Sequence, residues 1–315
     1  MENKRTYVVT GATGHIGNRV ARGLLEDGHS VRALGRNRER LRDLVDLGAT
    51  PFVGDMQDTA LVEELFLGAD AALLVAQGNR TARDYRGEFS DAGRNYANAA
   101  KATGLKYAVF ISSLGAHDER NRGLILVHSD VEHILNEVEE LNVVHLRAPA
   151  FFENLFYFLP PMRERGVLSS PIAPEAQIDT ASTRDVADVA LRLLTQLDFR
   201  GKSAIELHGP PGLSMGKIAN IIGEVLGRGF PGERIGRDAD VEGMVAAGMG
   251  RDFANLMNDA WEALSKGPLR EKEPTATSRM QSAIENFIRE QLTPAIVAPA
   301  RLRSPAATSK MEPVH

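Results

Sequence analysis

The sequence predicts an α/β protein, a doubly wound parallel sheet followed by a smaller C-terminal α+β domain. Three observations predict it. From Tyr7 to about Pro149 short apolar runs alternate with helical stretches, the pattern of a parallel sheet covered on both faces. At the start of that stretch a β-prone run, Tyr7-Val8-Val9, enters three glycines spaced three apart, Gly11, Gly14 and Gly17. After Pro149 the alternation stops and an aromatic cluster begins.

The elements follow in order. The first strand ends in Thr10-Gly11-Ala12-Thr13-Gly14-His15-Ile16-Gly17, and an amphipathic helix runs on from Asn18 to Glu26. A strand, a glycine turn and a helix in that order let the backbone approach a pyrophosphate and aim helix N–H groups at its charge, the Rossmann-type arrangement. No Gly-Lys-Ser/Thr follows, so a nucleoside-triphosphate loop is not expected. Strands are expected at Ser30–Leu34, Thr50–Val53, Ala69–Val75, Tyr107–Ile111 and Val143–Arg147. Helices are expected at Asn37–Leu47, Thr59–Phe66, Glu88–Thr103 and Ser129–Glu140, with Gly48, Gly68 and Gly104 as their C-terminal stops.

Beyond Pro149 come the aromatic run Phe151–Leu159, helices at Thr183–Leu194 and Ser214–Leu226, and a strand at Ser203–Leu207 between them. Helices at Phe253–Leu264 and Thr277–Gln291 follow. Gly243–Gly250 reads as a mobile lid or a loose helix. This divides the chain into a dinucleotide-binding domain over 1–150 and a smaller substrate domain over 151–292, interleaved with the core. A Pro/Ala/Ser-rich tail over 293–315 is expected to be disordered.

Composition narrows the partners. The chain has 315 residues and a formal net charge of −5, so no basic field points to nucleic acid. No apolar run approaches the ~20 residues that span a bilayer. The N-terminus lacks the apolar region of a signal peptide, so a cytoplasmic protein, a monomer or a homodimer, is expected. Cysteine is absent and the eight histidines show neither H-x-x-x-H nor H-E-x-x-H, so no metal is expected.

Candidate site residues fall at the strand ends. After the second strand stand Arg36, Arg38 and Arg40, with no acid between Val31 and Arg38. An acid there holds the ribose hydroxyls of NAD, whereas arginine accommodates the 2′-phosphate of NADP, so Arg36 points to NADP(H). Asp55, after the third strand, is placed near the adenine, or else serves as a turn residue or helix cap. Ala76 and Gln77, after the fourth, are placed beneath the adenosine ribose and pyrophosphate. Ser112 and Ser113 end the fifth strand, where hydroxyls facing a nicotinamide orient a carbonyl or satisfy loop backbone. His128, four residues before Glu132 on one helical face, is a candidate proton donor.

These residues resemble a known family. T-G-A-T-G-H-I-G at 10–17, Ser112-Ser113, His128-x-x-x-Glu132, Arg147-Ala148-Pro149-Ala150-Phe151-Phe152-Glu153-Asn154 and Ser182–Ala190 occur in the order seen in NmrA-like atypical short-chain dehydrogenases/reductases. The resemblance covers roughly residues 5–290. It implies NADP(H) binding at Gly11, Thr13, Gly14, His15, Ile16, Gly17, Arg36 and Ser112, and an oxidoreductase acting on a small hydrophobic acceptor such as a quinone, enone, dye or polycyclic metabolite. The family also holds redox sensors that bind NADP without turnover, so a non-catalytic regulator that binds a partner protein is the alternative. The Tyr-x-x-x-Lys of conventional relatives is missing, since Leu124 and His128 stand at those two positions. That departure favours a flat, electron-poor acceptor, which needs less proton assistance. Phe152, Phe156 and Asn154 are then the candidates for the acceptor pocket, and plain core packing is the other reading of each ring.

Overall fold

The computed structural model describes residues 4–118, 122–267, 269–275 and 278–298. Strand β1 (Thr6–Val9) leads through the glycine turn to helix α1 (His15–Glu26) and back to β2 (Ser30–Gly35). A 3₁₀ turn and short α2 (Arg42–Asp46) precede β3 (Thr50–Val53), then α3 (Thr59–Phe66), β4 (Ala71–Leu74), α4 (Tyr85–Thr103), β5 (Tyr107–Ser113), α5 (Leu124–Asn136) and β6 (Asn142–Ala148). The remainder comprises β7 (Ala150–Phe151), a 3₁₀ helix over Phe152–Phe158, α6 (Leu159–Glu164), β8 (Leu168–Ser170), β9 (Thr180–Ala181), α7 (Thr183–Gln196), β10 (Lys202–Glu206), α8 (Met215–Leu226), β11 (Gly232–Arg234), α9 (Arg237–Ala246) and α10 (Arg251–Ser265). Helix α11 (Ile284–Phe287) runs through a π-turn (Ile288–Leu292) into α12 (Thr293–Val297).

Seven strands form one parallel sheet in the order β10-β6-β5-β4-β1-β2-β3. The order reverses between β1 and β4, and the crevice at such a switch point is where open α/β sheets bind ligands. Alternation along each strand sends side chains to two cores. Tyr7, Val9, Leu73, Val109 and Leu146 pack under α1 and α7, while Val8, Ala72, Leu74, Phe110 and Val143 pack against α3, α4 and α5. Pro51 lies in β3, at the sheet edge, where its missing N–H removes no central ladder bond.

Chain segments after Pro149 return to the sheet. Strand β10 pairs with β6, and α7 lies along α1. Between these returns, β7 and β9 form a short parallel pair near the ends of the sheet strands, and β8 with β11 forms another. Their apolar residues join the α4–α5 core: Phe152, Phe158, Met215, Phe230, Phe253 and Trp261 all belong to it.

Several expected boundaries move. Helix α4 starts at Tyr85 because Asp84 caps it, its Oδ1 accepting from Gly87 N at 2.8 Å. Helix α5 starts at Leu124, so His128 lies in its second turn rather than before it. Gly243–Ala246 closes α9, whose Met244 is buried, so the first half of the stretch expected as a lid or a loose helix is helix. The helix expected at Thr277–Gln291 begins instead at Ile284, and Thr277 lies outside the described residues. The tail expected from 293 opens with α12, because Leu292 and Ile296 continue the buried face of α11; residues 299–315 lie outside the described residues. Among the described residues no helix is long and apolar enough to cross a membrane.

Candidate active site

The glycine turn is held from below. Thr10 Oγ1 accepts from Val75 N at 2.7 Å and Tyr96 Oη donates to Val75 O at 2.9 Å, so the ends of β1 and β4 are pinned together at the switch point. Gly11 adopts φ +62°, and a Cβ there would meet Val75 Cβ at 3.1 Å. At Gly17 a Cβ would stand 2.3 Å from the Gly11 carbonyl oxygen, so only glycine lets α1 start this close to the turn. Gly14 caps α1 with no side-chain hydrogen bond. Helix geometry leaves the amides of His15, Ile16 and Gly17 without intrahelical acceptors, aimed out of an α1 end that carries partial positive charge. This cradle fits a pyrophosphate.

Two recesses meet at the turn, sharing Gly11, Gly14 and Val75. The smaller is lined by Thr13, Gly35, Arg36, Arg40, Met56 and Gln77. Two arginines and no acid line it, as a 2′-phosphate requires. Asp55 does not join them: it is exposed and its Oδ1 accepts from Gln57 N at 3.1 Å, closing a turn, while Gly54 and Met56 face the recess. Arg32, within β2, donates to Leu65 O and Leu67 O at 2.8 and 2.7 Å and so finishes α3. The His15 imidazole is exposed and lines a separate surface recess with Arg19 and Arg22, leaving only the His15 backbone to the cradle.

The larger recess is a cleft with about 1270 Å³ of open space. Ala76, Ser112, Ser113 and His128 line it, as do Asn154 and Tyr157. Ser112 Oγ donates to Glu132 Oε1 at 2.5 Å, and Ser113 Oγ donates to Leu114 O at 3.2 Å, so both hydroxyls are committed to protein groups. Glu132 does not turn to His128. Arg147 Nε and Nη2 hold its two oxygens at 3.0 and 2.8 Å. Burial pushes the Glu132 carboxyl up, but the Arg147 and Ser112 hydrogen bonds outweigh it and hold it below the usual range.

His128 lies edge-on to Phe89, with ring centres 4.9 Å apart, and its Nδ1 is 2.7 Å from Leu124 O. A carbonyl only accepts, so Nδ1 carries the hydrogen and Nε2 keeps its lone pair in the neutral ring. Burial lowers its pKa from the ordinary value, against smaller opposing effects of Leu124 and Glu132. Burial thus favours the neutral ring, whose Nε2 is a hydrogen-bond acceptor, at the position where the sequence offers a proton donor.

The aromatic run sorts by its helix type. Three residues per turn puts Asn154 and Tyr157 on one edge, and both line the cleft together with Phe151 at the end of β7. Phe152 and Phe158 lie on the next edge and are buried. Phe152 and Phe156 pack against Phe287 at 5.9 and 5.8 Å between ring centres, so these two pocket candidates belong to the core instead. Glu153 is buried and accepts from Thr183 Oγ1 at 2.5 Å, tying this edge to the start of α7.

The opposite wall was missed by sequence reasoning. Phe253, Met257 and Trp261 recur every four residues on α10 and line the cleft with Arg80, Tyr85 and Phe89. The i, i+4, i+8 stripe was visible in the sequence; its facing the cleft was not. Beyond the cleft, His117, Glu206 and Glu271 place ligand-type atoms within 4.8 Å of one another. Arg147 Nη1 pairs with Glu271 at 3.2 Å, and Glu206 accepts from Glu271 N and Lys272 N, so two of the three groups already have partners within the protein.

The fold and the paired recesses define a dinucleotide-binding protein with a second, apolar cleft at the same switch point. The chain belongs to the NmrA-like family, whose profile matches residues 3–263. It is similar to quinone oxidoreductase 2 of Escherichia coli (strain K12), 26% identical over 269 residues, covering 85% of this chain and 91% of that protein. It is also similar to an NAD(P)H azoreductase of Xenophilus azovorans, 25% identical over 256 residues, covering 81% of this chain and 85% of the relative. In three dimensions it resembles the NADPH complex of the Escherichia coli NADPH-dependent quinone oxidoreductase, with a TM-score of 0.75 and 23% identity over 90% of this chain and 98% of the other.

Proposed function

We propose that the chain is an NADPH-dependent oxidoreductase that reduces a flat hydrophobic acceptor of the quinone, enone or dye kind. The observation that carries the reading is the continuity of the two recesses through Gly11, Gly14 and Val75, which sets an aromatic cleft directly beside the dinucleotide cradle. The names of the two curated relatives, a quinone oxidoreductase and an azoreductase, support it.

In this reading the α1 amides and the glycine turn hold the pyrophosphate, and Arg36 with Arg40 holds the 2′-phosphate. NADPH, when bound, would supply a hydride to the acceptor. Phe151 and Tyr157 on one side, with Met257 and Trp261 on the other, clamp a planar acceptor and exclude water. The Asn154 amide is placed to donate to an acceptor oxygen. When hydride reaches a quinone carbon or a conjugated position, the electron pair it displaces settles on an oxygen stabilised by the ring system. That oxygen takes its proton from water once the reduced acceptor leaves the cleft, so no strongly acidic side chain is required. The cytoplasmic assignment belongs to the same proposal.

The test is NADPH oxidation followed at the nicotinamide absorbance against quinones, enones and dyes. Turnover of at least one class is expected. Low-micromolar NADPH binding with no turnover of any of them overturns the enzyme and leaves an NADP(H)-sensing regulator.

A further inference from the structure

The cleft holds two hydrogen-bond donors that the protein does not satisfy. Arg80, on the loop between β4 and α4, places its guanidinium carbon 5.6 Å from the centre of the Tyr157 ring and 5.1 Å from that of Phe253. Its Nε is buried and has no partner. The second donor is Trp261, 4% exposed, whose Nε1 is likewise buried without a partner. Both residues line the cleft.

Neither donor sits there by looseness. The Arg80 carbonyl accepts from Gly250 N at 2.7 Å, and Asp252 Oδ2 accepts from Tyr85 N at 2.8 Å, so the loop is clipped to the start of α10 on both sides. The polar groups beside the guanidinium are the Tyr157 and Tyr85 hydroxyls; burial raises the pKa of Tyr157, and the Arg80 charge and hydrogen bond draw it back. Neither hydroxyl balances a cation. Asp179, the acid among the lining residues, lies 3.8 Å from His208 Nδ1 and forms no ion pair with Arg80. A half-buried guanidinium between aromatic faces, with its Nε buried and no acid in ion-pair reach among the described residues, asks for an anion from the ligand.

Spacing adds a dimension. Phe253, which Arg80 covers, and Trp261 are eight residues apart on one face of α10, about 12 Å along the axis at 1.5 Å per residue. That is the long dimension of a ring system of two or three fused or linked rings. We propose that the ligand of this cleft is an anionic polycyclic aromatic. Its sulfonate, carboxylate or phenolate oxygen pairs with Arg80, and a second oxygen, carbonyl-like, accepts from Trp261 Nε1. The assignment rests on reading the cleft as the acceptor site and narrows the acceptor to a charged class.

Trp261 is the chain's single tryptophan, so its fluorescence reports the cleft directly. The experiment titrates the NADP⁺-loaded protein with anthraquinone-2-sulfonate and with neutral 2-(hydroxymethyl)anthraquinone, and follows NADPH oxidation by each compound separately. The sulfonate is expected to bind at least ~10-fold tighter, as a charge-assisted hydrogen bond gives. Arg80→Gln is expected to abolish that advantage, Arg80→Lys to keep part of it, and NADPH affinity to stay the same in both. Equal affinities in the unaltered protein overturn the proposal, and so does a sulfonate advantage that survives in Arg80→Gln. Sulfonate-selective binding without NADPH oxidation upholds the charge assignment and sinks the enzyme reading. Turnover of neutral and anionic acceptors with equal affinity does the reverse.

Discussion

Replacing Arg36 by alanine tests the cofactor end of the site, and the structure sets the size of the effect. Arg36 is an exposed cation on the rim of a recess that has a second arginine, Arg40, and no carboxylate. A hydrogen bond between charged groups contributes about 1.5–3 kcal/mol. Losing one of two arginines therefore weakens NADPH binding by roughly 10- to 150-fold, with Arg40 preventing a complete loss. NADH has no 2′-phosphate, so its affinity stays nearly constant. The assay is calorimetric or fluorescence titration of both cofactors at fixed ionic strength, since an exposed pair is screened by salt. An unchanged NADPH/NADH ratio, or an equal loss for both, would refute the assignment of Arg36 to the phosphate.

Further predictions concern the scaffold. Gly17→Ala puts a methyl 2.3 Å from a backbone oxygen that cannot rotate away, so cofactor binding is expected to vanish. Gly23→Ala meets only the end of the Leu191 side chain and should bind normally; loss of binding in both would show that the turn is not what Gly17 protects. Arg147→Met strands the Glu132 carboxylate, 6% exposed, and should cost about 3–5 kcal/mol at pH 7 by denaturant titration. The pair's contribution is present above the ordinary carboxylate range and is lost as pH falls through the depressed value of Glu132, so the gap between variant and parent should narrow in acid. His145, whose Nε2 contacts Asn136 Oδ1, is pushed down to about 4 by burial. The unfolded chain takes up that proton first, so stability should fall by up to about 3 kcal/mol between pH 6.5 and 4, and His145→Gln should flatten that slope.

How far the sequence revealed the site depended on whether one residue's spacing decided the matter. Gly11, Gly14 and Gly17 were legible because a close backbone approach demands glycine at fixed intervals, and the strand–turn–helix context is local. The sheet followed from alternation alone. The aromatic run was harder, because a helical period of 3.6 and a 3₁₀ period of 3.0 assign its rings to different sides. The sequence offers Phe152 and Phe156 as pocket residues with no period to choose between the rings, whereas the 3₁₀ turn gives the cleft Asn154 and Tyr157. Arg80 and Trp261 were illegible for another reason. They lie 181 residues apart and meet one cleft only because the loop after β4 is clipped to α10. The partners of Glu132 were equally non-local, since Arg147 comes from the neighbouring strand end rather than from the same helix face.

The missing tyrosine makes the protonation state of His128 the decisive question about chemistry. An imidazolium that donated a proton in the rate-limiting step would lose activity as pH rises through the ordinary histidine value near 6.5. The structure argues for the opposite. Burial beside Phe89 and Phe110 disfavours the charged ring, and the Nδ1 hydrogen is taken by Leu124 O, so no donor faces the cleft from this residue. NADPH oxidation with a saturating quinone should therefore stay flat between pH 6.5 and 9, and His128→Gln should change kcat by less than about threefold, well short of the ~100-fold that a general acid supplies. A limb falling above pH 6.5 that disappears in the variant would restore His128 as the acid. A flat profile instead leaves the acceptor's own delocalisation and Asn154 to carry the developing charge, which is the condition under which a reductase of this fold can dispense with its tyrosine.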